Sequence, residues 1–384
     1  MLPFFTQDHA ALQAQVRLWA EKNLFAAHGS DDLDQHARTL VKELGAAGFL
    51  KHAVPKQFGG LNEQVEARAL CILREELARG DALADTMFAL QALGSYPITL
   101  AGNEAQKLAC LPKIASGVAI AAFAITEPEA GSDVASLQTF AVLQNEQFVL
   151  NGTKRFISNA GIADFYVVFA STAPEKKAKG VSAFIIDATT PGLAVTEKTQ
   201  LLSPHPIGVL QFTDCIVPAA NLLGAEGDGL KIALETLDLL RCSVGAAAVG
   251  FAQRALEEAI RYCKTRRQFG RAIAEFQGIE FKLADMATEL EAARLLVCQA
   301  AWAHDVGNAD AKQKSSMAKY YATEAAQRIV DQALQIHGGN GLIAGSIMER
   351  LYRDVRALRI YEGTSEIQKI VIARELLKAT GNRQ

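Results

Sequence analysis

The sequence carries no excess of either charge. Its 39 basic and 42 acidic residues leave a formal net charge of -3, so no chain-wide field draws it to nucleic acid or to an anionic membrane. It also lacks a long hydrophobic run. The most apolar stretches, 118–125 and 244–252, fall well short of the ~20 residues a spanning helix needs. The N-terminal MLPFFTQDHA has no basic segment leading into an apolar one, and together these absences predict a cytoplasmic chain with no membrane insertion. None of the cysteines (Cys71, Cys110, Cys215, Cys242, Cys263, Cys298) belongs to a C-x-x-C pair, and no histidines stand as H-x-x-x-H. That removes metal and disulfide readings and leaves buried, reduced thiols as the expectation for all six. No proline follows Gly229, so the rest of the chain is free to form long helices.

What is present is globular composition in a chain of 384 residues, above the ~250–300 at which one core splits. Two or three domains are expected. Residues 1–117 show helical apolar spacing (Leu12, Val16, Trp19, Ala20), broken at Gly45, Gly48, Pro55 and Gly59-Gly60, and later at Gly94 and Pro97. Residues 118–226 change to short Val-, Ile-, Phe- and Thr-rich runs, an all-β pattern, with Asn151-Gly152 as the expected hairpin turn. In 227–384 two stripes recur at spacings of three and four: Ile279, Leu283, Met286, Leu290, Ala293, Val297, Ala300, and Ala318, Tyr321, Ala325, Ile329, Ala333, Ile336. They predict a helix bundle. The order is therefore helical domain (1–117), β-domain (118–226), helical bundle (227–384).

Three segments carry chemistry. In AITEPEAGSD (124–133) an apolar strand ends in a threonine and a Gly-Ser-Asp turn; Gly131 and Ser132 suit close backbone approach to a phosphate or amide, although a capped β-turn is the plain alternative. In NGTKRFISNAG (151–161), period-2 alternation places Lys154, Phe156 and Ser158 on one face, an aromatic ring with a hydroxyl at its edge. A core phenylalanine beside an exposed serine reads equally well. In RIYEGTSEIQKIVIAREL (359–376), Ser365 and Gln368 resemble a capping box, so a helix is expected to start near Glu366, with Glu362 in the Tyr-Glu-Gly step before it.

The segments TEPEAGSD, NGTKRFISN, YCKTRRQFG, QIHGGNG, MERLYRDVRALRIYEGTSEIQ and IAREL, in this order and spacing, resemble the acyl-CoA dehydrogenase flavoproteins across almost the whole chain, VPKQFGG (54–60) and GDGLKIAL included. The resemblance implies an α+β multidomain fold, with an N-terminal α-helical domain, a middle β-barrel and a C-terminal four-helix bundle, assembled as a homotetramer or dimer. It also implies FAD as cofactor. Phe123, Ile125 and Thr126 match residues along the isoalloxazine, and Gly131 and Ser132 the pyrophosphate and acyl-thioester contacts. Phe156 takes a position usually held by tryptophan, and Ser158 is expected near N5 and O4 of the ring. Arg266, Gln268 and Phe269 with Gln335, Gly338 and Gly339 match residues that a neighbouring subunit lends to the adenosine half. Thr364 and Glu366 match contacts beyond the base. Asp238 and Arg241 match the pantetheine and phosphate end of coenzyme A, although they also form an i, i+3 pair. Tyr361 and Gly363 flank the substrate.

Desaturating an acyl thioester removes an α-proton while the β-hydrogen leaves as hydride to the flavin, so a carboxylate must face the substrate opposite the ring. In this family the base comes from the Tyr-Glu-Gly step or from the residue before the bundle arginine. Here the second position is Leu240, which takes no proton, and Glu362 is the expected base. By the same resemblance the Glu362 N–H and a ribityl hydroxyl polarise the thioester carbonyl, and an electron-transfer flavoprotein or similar acceptor reoxidises the flavin. An acyl-CoA oxidase, a dehydrogenase of carrier-protein thioesters and a non-enzymatic flavoprotein of the same fold are the alternatives. LLSPHPIGVL (201–210) departs from the family's Gly-x-Arg-Gly-like step, and His205 within it is expected to be a surface-loop residue.

Overall fold

The computed structural model describes residues 4–25 and 32–381. Five helices come first: α1 (Gln7–Asn23), α2 (Leu33–Ala46), α3 (Ala67–Gly80), α4 (Ala82–Ala101) and α5 (Glu104–Ala115). Eight strands follow: β1 (Ala121–Ala124), β2 (Phe140–Gln144), β3 (Gln147–Ser158), β4 (Phe165–Ser171), β5 (Val181–Asp187), β6 (Leu193–Lys198), β7 (Ile207–Pro218) and β8 (Leu222–Leu223). After them come α6 (Gly229–Thr265), the short strands β9 (Arg267–Gln268) and β10 (Arg271–Ala272), and α7 (Gln277–Asp305), α8 (Ala311–His337), α9 (Ile347–Ala357) and α10 (Ser365–Gly381). Packing gathers α1, residues 67–85 and 238 onward into one compact unit, and 32–66 with 86–237 into a second.

The second unit is built on one sheet, ordered β6-β7-β3-β2-β4-β5-β8, with β1 added in parallel to β4. The outer edge of β1 is not left bare, because unpaired buried backbone groups are expensive. Gln91 of α4 donates to the Ala119 carbonyl (2.7 Å) and accepts from the Ala121 N–H (2.8 Å), and Asn159 donates to the Ala121 carbonyl (2.8 Å). Helix α4 runs straight through Gly94 and Pro97, where the sequence suggested breaks. A side chain at Gly94 would meet Ala121 Cβ at 2.5 Å, so this glycine lets α4 press against β1 and does not end the helix.

The hairpin lies elsewhere than expected. The β2–β3 turn is Asn145-Glu146, both with positive φ (47° and 61°), whereas Asn151-Gly152 sits inside β3 at a bulge against β7. A positive-φ pair favours Asn-Gly, yet Asn145-Glu146 takes that conformation and the longer β3 ladder wins. In the first unit Ala318, Ala325, Ile329, Ala333 and Ile336 of α8 and the α7 stripe from Met286 to Ala300 are buried as the spacing predicted, whereas Ile279, Leu283 and Tyr321 are only half-buried and Ala322 takes Tyr321's place in the buried stripe. The cysteines are free and buried except Cys110, which is half-buried on α5. Among the described residues no helix is long and apolar enough to cross a membrane, and no cluster of metal-ligating side chains forms.

Candidate active site

The Tyr361-Glu362-Gly363 step joins α9 to α10 through two consecutive residues of positive φ, 53° at Glu362 and 88° at Gly363. Glycine accepts that conformation freely; a glutamate in it stores of order 1–3 kcal/mol and persists only where its surroundings fix it. Here they do. Buried Lys319 of α8 donates to the Gly363 carbonyl at 2.7 Å, and the Gln368 amide donates to the same oxygen at 2.9 Å and to the Glu362 carbonyl at 3.4 Å. The helix cap falls one residue earlier than the expected box: Thr364 Oγ1 accepts from the Ile367 N–H (3.3 Å), while Ser365 Oγ donates to Glu324 (2.6 Å), which also holds Arg359 (2.8 Å). Gln368 is taken up by the carbonyls of the step itself, which is why it does not close a box with Ser365.

The Glu362 side chain is only 12 % exposed. Its Oε1 lies 4.0 Å from Arg74 Nη1, and its Oε2 is buried with no hydrogen-bond partner. Burial pushes this carboxyl above its ordinary value; Arg74, Lys319 and Arg241 pull back only in part, and Asp85 adds to the rise. The same burial pushes the Lys319 ammonium down to about 8. Leu240 is buried on α6 and offers no proton acceptor. The next residue, Arg241, pairs with Asp238, with Lys312 3.7 Å from the same aspartate, and the Arg241 Nε is buried without a partner. Tyr361 itself is partly exposed.

The second cluster lies in the sheet unit. Phe123 and Ile125 are buried in the core, the Phe123 ring tilted against Phe169 with centroids 4.8 Å apart. Thr126 is half-buried, its carbonyl accepting from the Arg155 N–H at 2.9 Å. Gly131 and Ser132 are exposed, and a Cβ built on Gly131 meets no protein atom within 4 Å. The expected alternation along 154–158 fails: a bulge between Lys154 and Ile157 gives Phe156 a positive φ of 55° and turns Arg155 and Phe156 outward together. Lys154 is fully buried, 2.7 Å from Glu127, and shares no face with Phe156. The Phe156 ring is 47 % exposed, with the Arg155 guanidinium 4.8 Å from its centre. Ser158 Oγ lies 2.9 Å from His205 Nε2. His205 lies half-buried in the loop between β6 and β7, where burial holds its imidazole below the ordinary value and its Nε2 meets Ser158.

A third group gathers on the helical unit. β9 and β10 form a hairpin whose tip carries Phe269, 94 % exposed at φ 51°, with Arg266 and Gln268 exposed beside it. The loop after α8 is brought next to the end of α6 by the Tyr262–His337 stack (4.3 Å) and the Asn340–Tyr262 hydrogen bond (3.0 Å). Gln335, Gly338 and Gly339 are exposed there, and nothing lies within 4 Å of a Cβ on either glycine.

Family models for the N-terminal, middle and C-terminal domains of acyl-CoA dehydrogenase match residues 6–118, 122–215 and 227–377. The chain belongs to the acyl-CoA dehydrogenase family. It is 42 % identical over 379 residues to an acyl-CoA dehydrogenase of Bacillus subtilis, covering 98 % of this chain and 99 % of that one. It is 43 % identical over 383 residues to an acryloyl-CoA reductase (NADH) of Anaerotignum propionicum, covering 97 % and 95 %. The crystal structure of an acyl-CoA dehydrogenase complexed with FAD from Bacillus anthracis superposes with a TM-score of 0.91 at 31 % identity, over 100 % of this chain and 69 % of that one. Acyl-CoA dehydrogenases are FAD-dependent oxidoreductases, and this chain has the family's helical N- and C-terminal regions with a central sheet.

The residues of this chain fit that cofactor. Gly131 and Gly339 leave open space where the backbone itself demands no glycine, Gly338 takes a positive φ of 56° that suits one, and Phe156 is half exposed with the Arg155 guanidinium over its ring. Sequence reasoning missed Arg74, Asp85 and Lys319, and gave Gln368 and His205 other roles. The first four sit on helices, and Arg74 follows an apolar run (Cys71, Ile72, Leu73) that is buried nearly all round. An arginine and a lysine set among such neighbours were the available signal.

Proposed function

We propose that the chain dehydrogenates an acyl-CoA thioester to the trans-2-enoyl-CoA, with Glu362 taking the α-proton. The observation that supports this best is the Glu362 carboxylate: largely buried, one oxygen unpartnered, its nearest cation standing 4.0 Å away. A carboxyl raised by burial is a stronger base once ionised than one in water. Bound FAD supplies the acceptor for the β-hydride. The protein's own groups bind and orient. Phe156 offers a stacking face, and Thr126, Ser158 and the backbone of Phe123 and Ile125 line the ring. Gly131 and Ser132 serve the pyrophosphate and thioester, and Asp238 with Arg241, whose Nε still lacks an acceptor, takes the pantetheine-phosphate end. The Glu362 N–H polarises the thioester carbonyl, with Tyr361 and Gly363 at either side.

In the same reading the chain is a homotetramer or dimer, and the exposed Arg266, Gln268, Phe269, Gln335, Gly338 and Gly339 hold the adenosine half of a neighbour's FAD, with Thr364 and Glu366 beyond the base. Residues 1–117, 118–226 and 227–384 are its three domains, and an electron-transfer flavoprotein or similar acceptor takes the electrons. The test is optical. Purified protein is expected to carry flavin absorbance that bleaches anaerobically with some member of an acyl-CoA panel. Bleaching by NADH and by no acyl-CoA would reassign the direction to reduction, the activity named for the Anaerotignum relative.

A further inference from the structure

One buried charge beside Glu362 has no part in the reaction as proposed. Arg74 of α3 is 2 % exposed, and its guanidinium forks onto Asp85, Nε to Oδ1 at 2.9 Å and Nη2 to Oδ2 at 3.0 Å. Its Nη1 donates to Ser243 Oγ at 3.1 Å and stands 4.0 Å from Glu362 Oε1. Ser243 in turn donates to the Leu240 carbonyl at 2.6 Å. Burying a guanidinium is expensive, and a bidentate carboxylate is the usual compensation. Asp85 supplies that compensation in full, so the arginine's own stability does not require Glu362. Glu362 is a second carboxylate within the arginine's field but outside its hydrogen-bonding reach.

We propose that Arg74 is a positioning residue for the base: clamped by Asp85 and Ser243, it holds the Glu362 carboxylate as a charged but unbonded group with Oε2 free for the substrate's proton. The arrangement explains the division of labour. Were Asp85 absent, the guanidinium would be free to turn and bond Glu362 directly, and a directly paired carboxylate is a poor base. Were Arg74 absent, burial and Asp85 would favour the protonated acid, which cannot accept a proton at all. The groups facing Glu362 are Arg74 on α3, Asp85 on α4, Arg241 on α6, Lys319 on α8 and the adjoining Tyr361. Of the cations, Arg74 pulls hardest on the carboxyl.

This inference rests on the reading of Glu362 as base. Its test uses the flavin-bearing protein and two readouts: the pH profile of anaerobic flavin bleaching by a good acyl-CoA, and the infrared carboxyl band of protonated Glu362, assigned by its loss in Glu362→Gln. An opposite charge at this range shifts a carboxyl by about one to three pH units. In Arg74→Met the acid limb of the profile and the midpoint of the infrared band are expected to move together to higher pH by about that much. Arg74→Lys, which keeps the charge, is expected to return both toward wild type. If Arg74→Met does not fold with Asp85 left unpaired, Arg74→Gln with Asp85→Asn keeps a neutral hydrogen-bonded pair, and the limb is again expected to rise. A limb and band that stay at the wild-type pH in a folded variant overturn the proposal. A loss of less than about tenfold in Glu362→Gln overturns the base assignment instead, so the two failures are distinct.

Discussion

Glu127 and Glu362 are two buried glutamates, each near a buried cation, and the fold treats them in opposite ways. Glu127 is fully occupied. Lys154 Nζ and the Thr139 N–H reach Oε1 at 2.7 and 3.0 Å, and the Gln138 N–H reaches Oε2 at 2.5 Å. Burial alone would push this carboxyl up, but the ammonium and the two N–H donors outweigh it and hold it below the ordinary range. Glu362 has comparable burial, a cation 4.0 Å off and one oxygen bonded to nothing, and it is held above the ordinary range. Glu127, which ties strands together, has both oxygens engaged, whereas Glu362, the proposed base, keeps Oε2 open. The cation in contact at 2.7 Å and the donors on both oxygens separate Glu127 from Glu362, whose cation stands 4.0 Å off.

The comparison breaks most visibly in stability. Glu127→Gln leaves the Lys154 ammonium buried without its counter-charge, and loss of a buried partner costs about 3–5 kcal/mol. Denaturant unfolding at neutral pH is expected to show that loss. The sign with pH follows: Glu127's folded value is lowered, so its contribution is complete above the ordinary carboxylate range and disappears as pH falls through the lowered value. Glu362→Gln is expected to do the reverse. Its folded value is raised, so the ionised form is the costly one, and a neutral amide of the same shape leaves the unfolding midpoint at neutral pH unchanged or higher. Equal losses in the two variants would erase the distinction.

The strands proposed to line the flavin sharpen the same point on a smaller scale. His205→Ala removes the partner of Ser158 Oγ at 2.9 Å and is expected to weaken FAD binding by about 1 kcal/mol, a several-fold rise in dissociation constant read by flavin fluorescence. No change would mean that Ser158 is oriented without it. The smallest effect is expected at Phe156. Phe156 is 47 % exposed, with the Arg155 guanidinium over its ring, so Phe156→Trp keeps an aromatic face with open room to extend and is expected to be tolerated in stability and FAD retention, whereas Phe156→Ala is expected to lose the stacking face and retain less flavin.

Much of this was legible before any coordinates, and the misses share a cause. Composition and periodicity yield the helix–strand–helix order, while the expectation of Glu362 as base comes from the resemblance to the acyl-CoA dehydrogenases, whose other base position holds Leu240 here. The errors are all at places where tertiary contacts override local rules. Asn151-Gly152 has the chemistry of a turn, but β3 pairs with β7 across it. Strict alternation at 154–158 fails at a bulge that buries Lys154 against Glu127 and turns Phe156 out. Ser365 looks like a cap, but Glu324, forty-one residues earlier, claims its hydroxyl. Arg74 and Asp85 are eleven residues apart, with nothing in the linear spacing to say that they meet, still less that they meet beside residue 362.

The central claim is that Glu362 is the proton acceptor, and single-turnover kinetics address it most directly. Wild-type protein and Glu362→Gln, each carrying FAD, are mixed anaerobically with a good acyl-CoA substrate and the loss of flavin absorbance is followed, with acyl-CoA affinity measured in parallel. The variant is expected to bind the thioester while the rate of bleaching falls by ~10²–10⁴-fold or more, the usual contribution of a general base. Bleaching within about tenfold of wild type, with binding intact, would contradict the account and place the proton on another group.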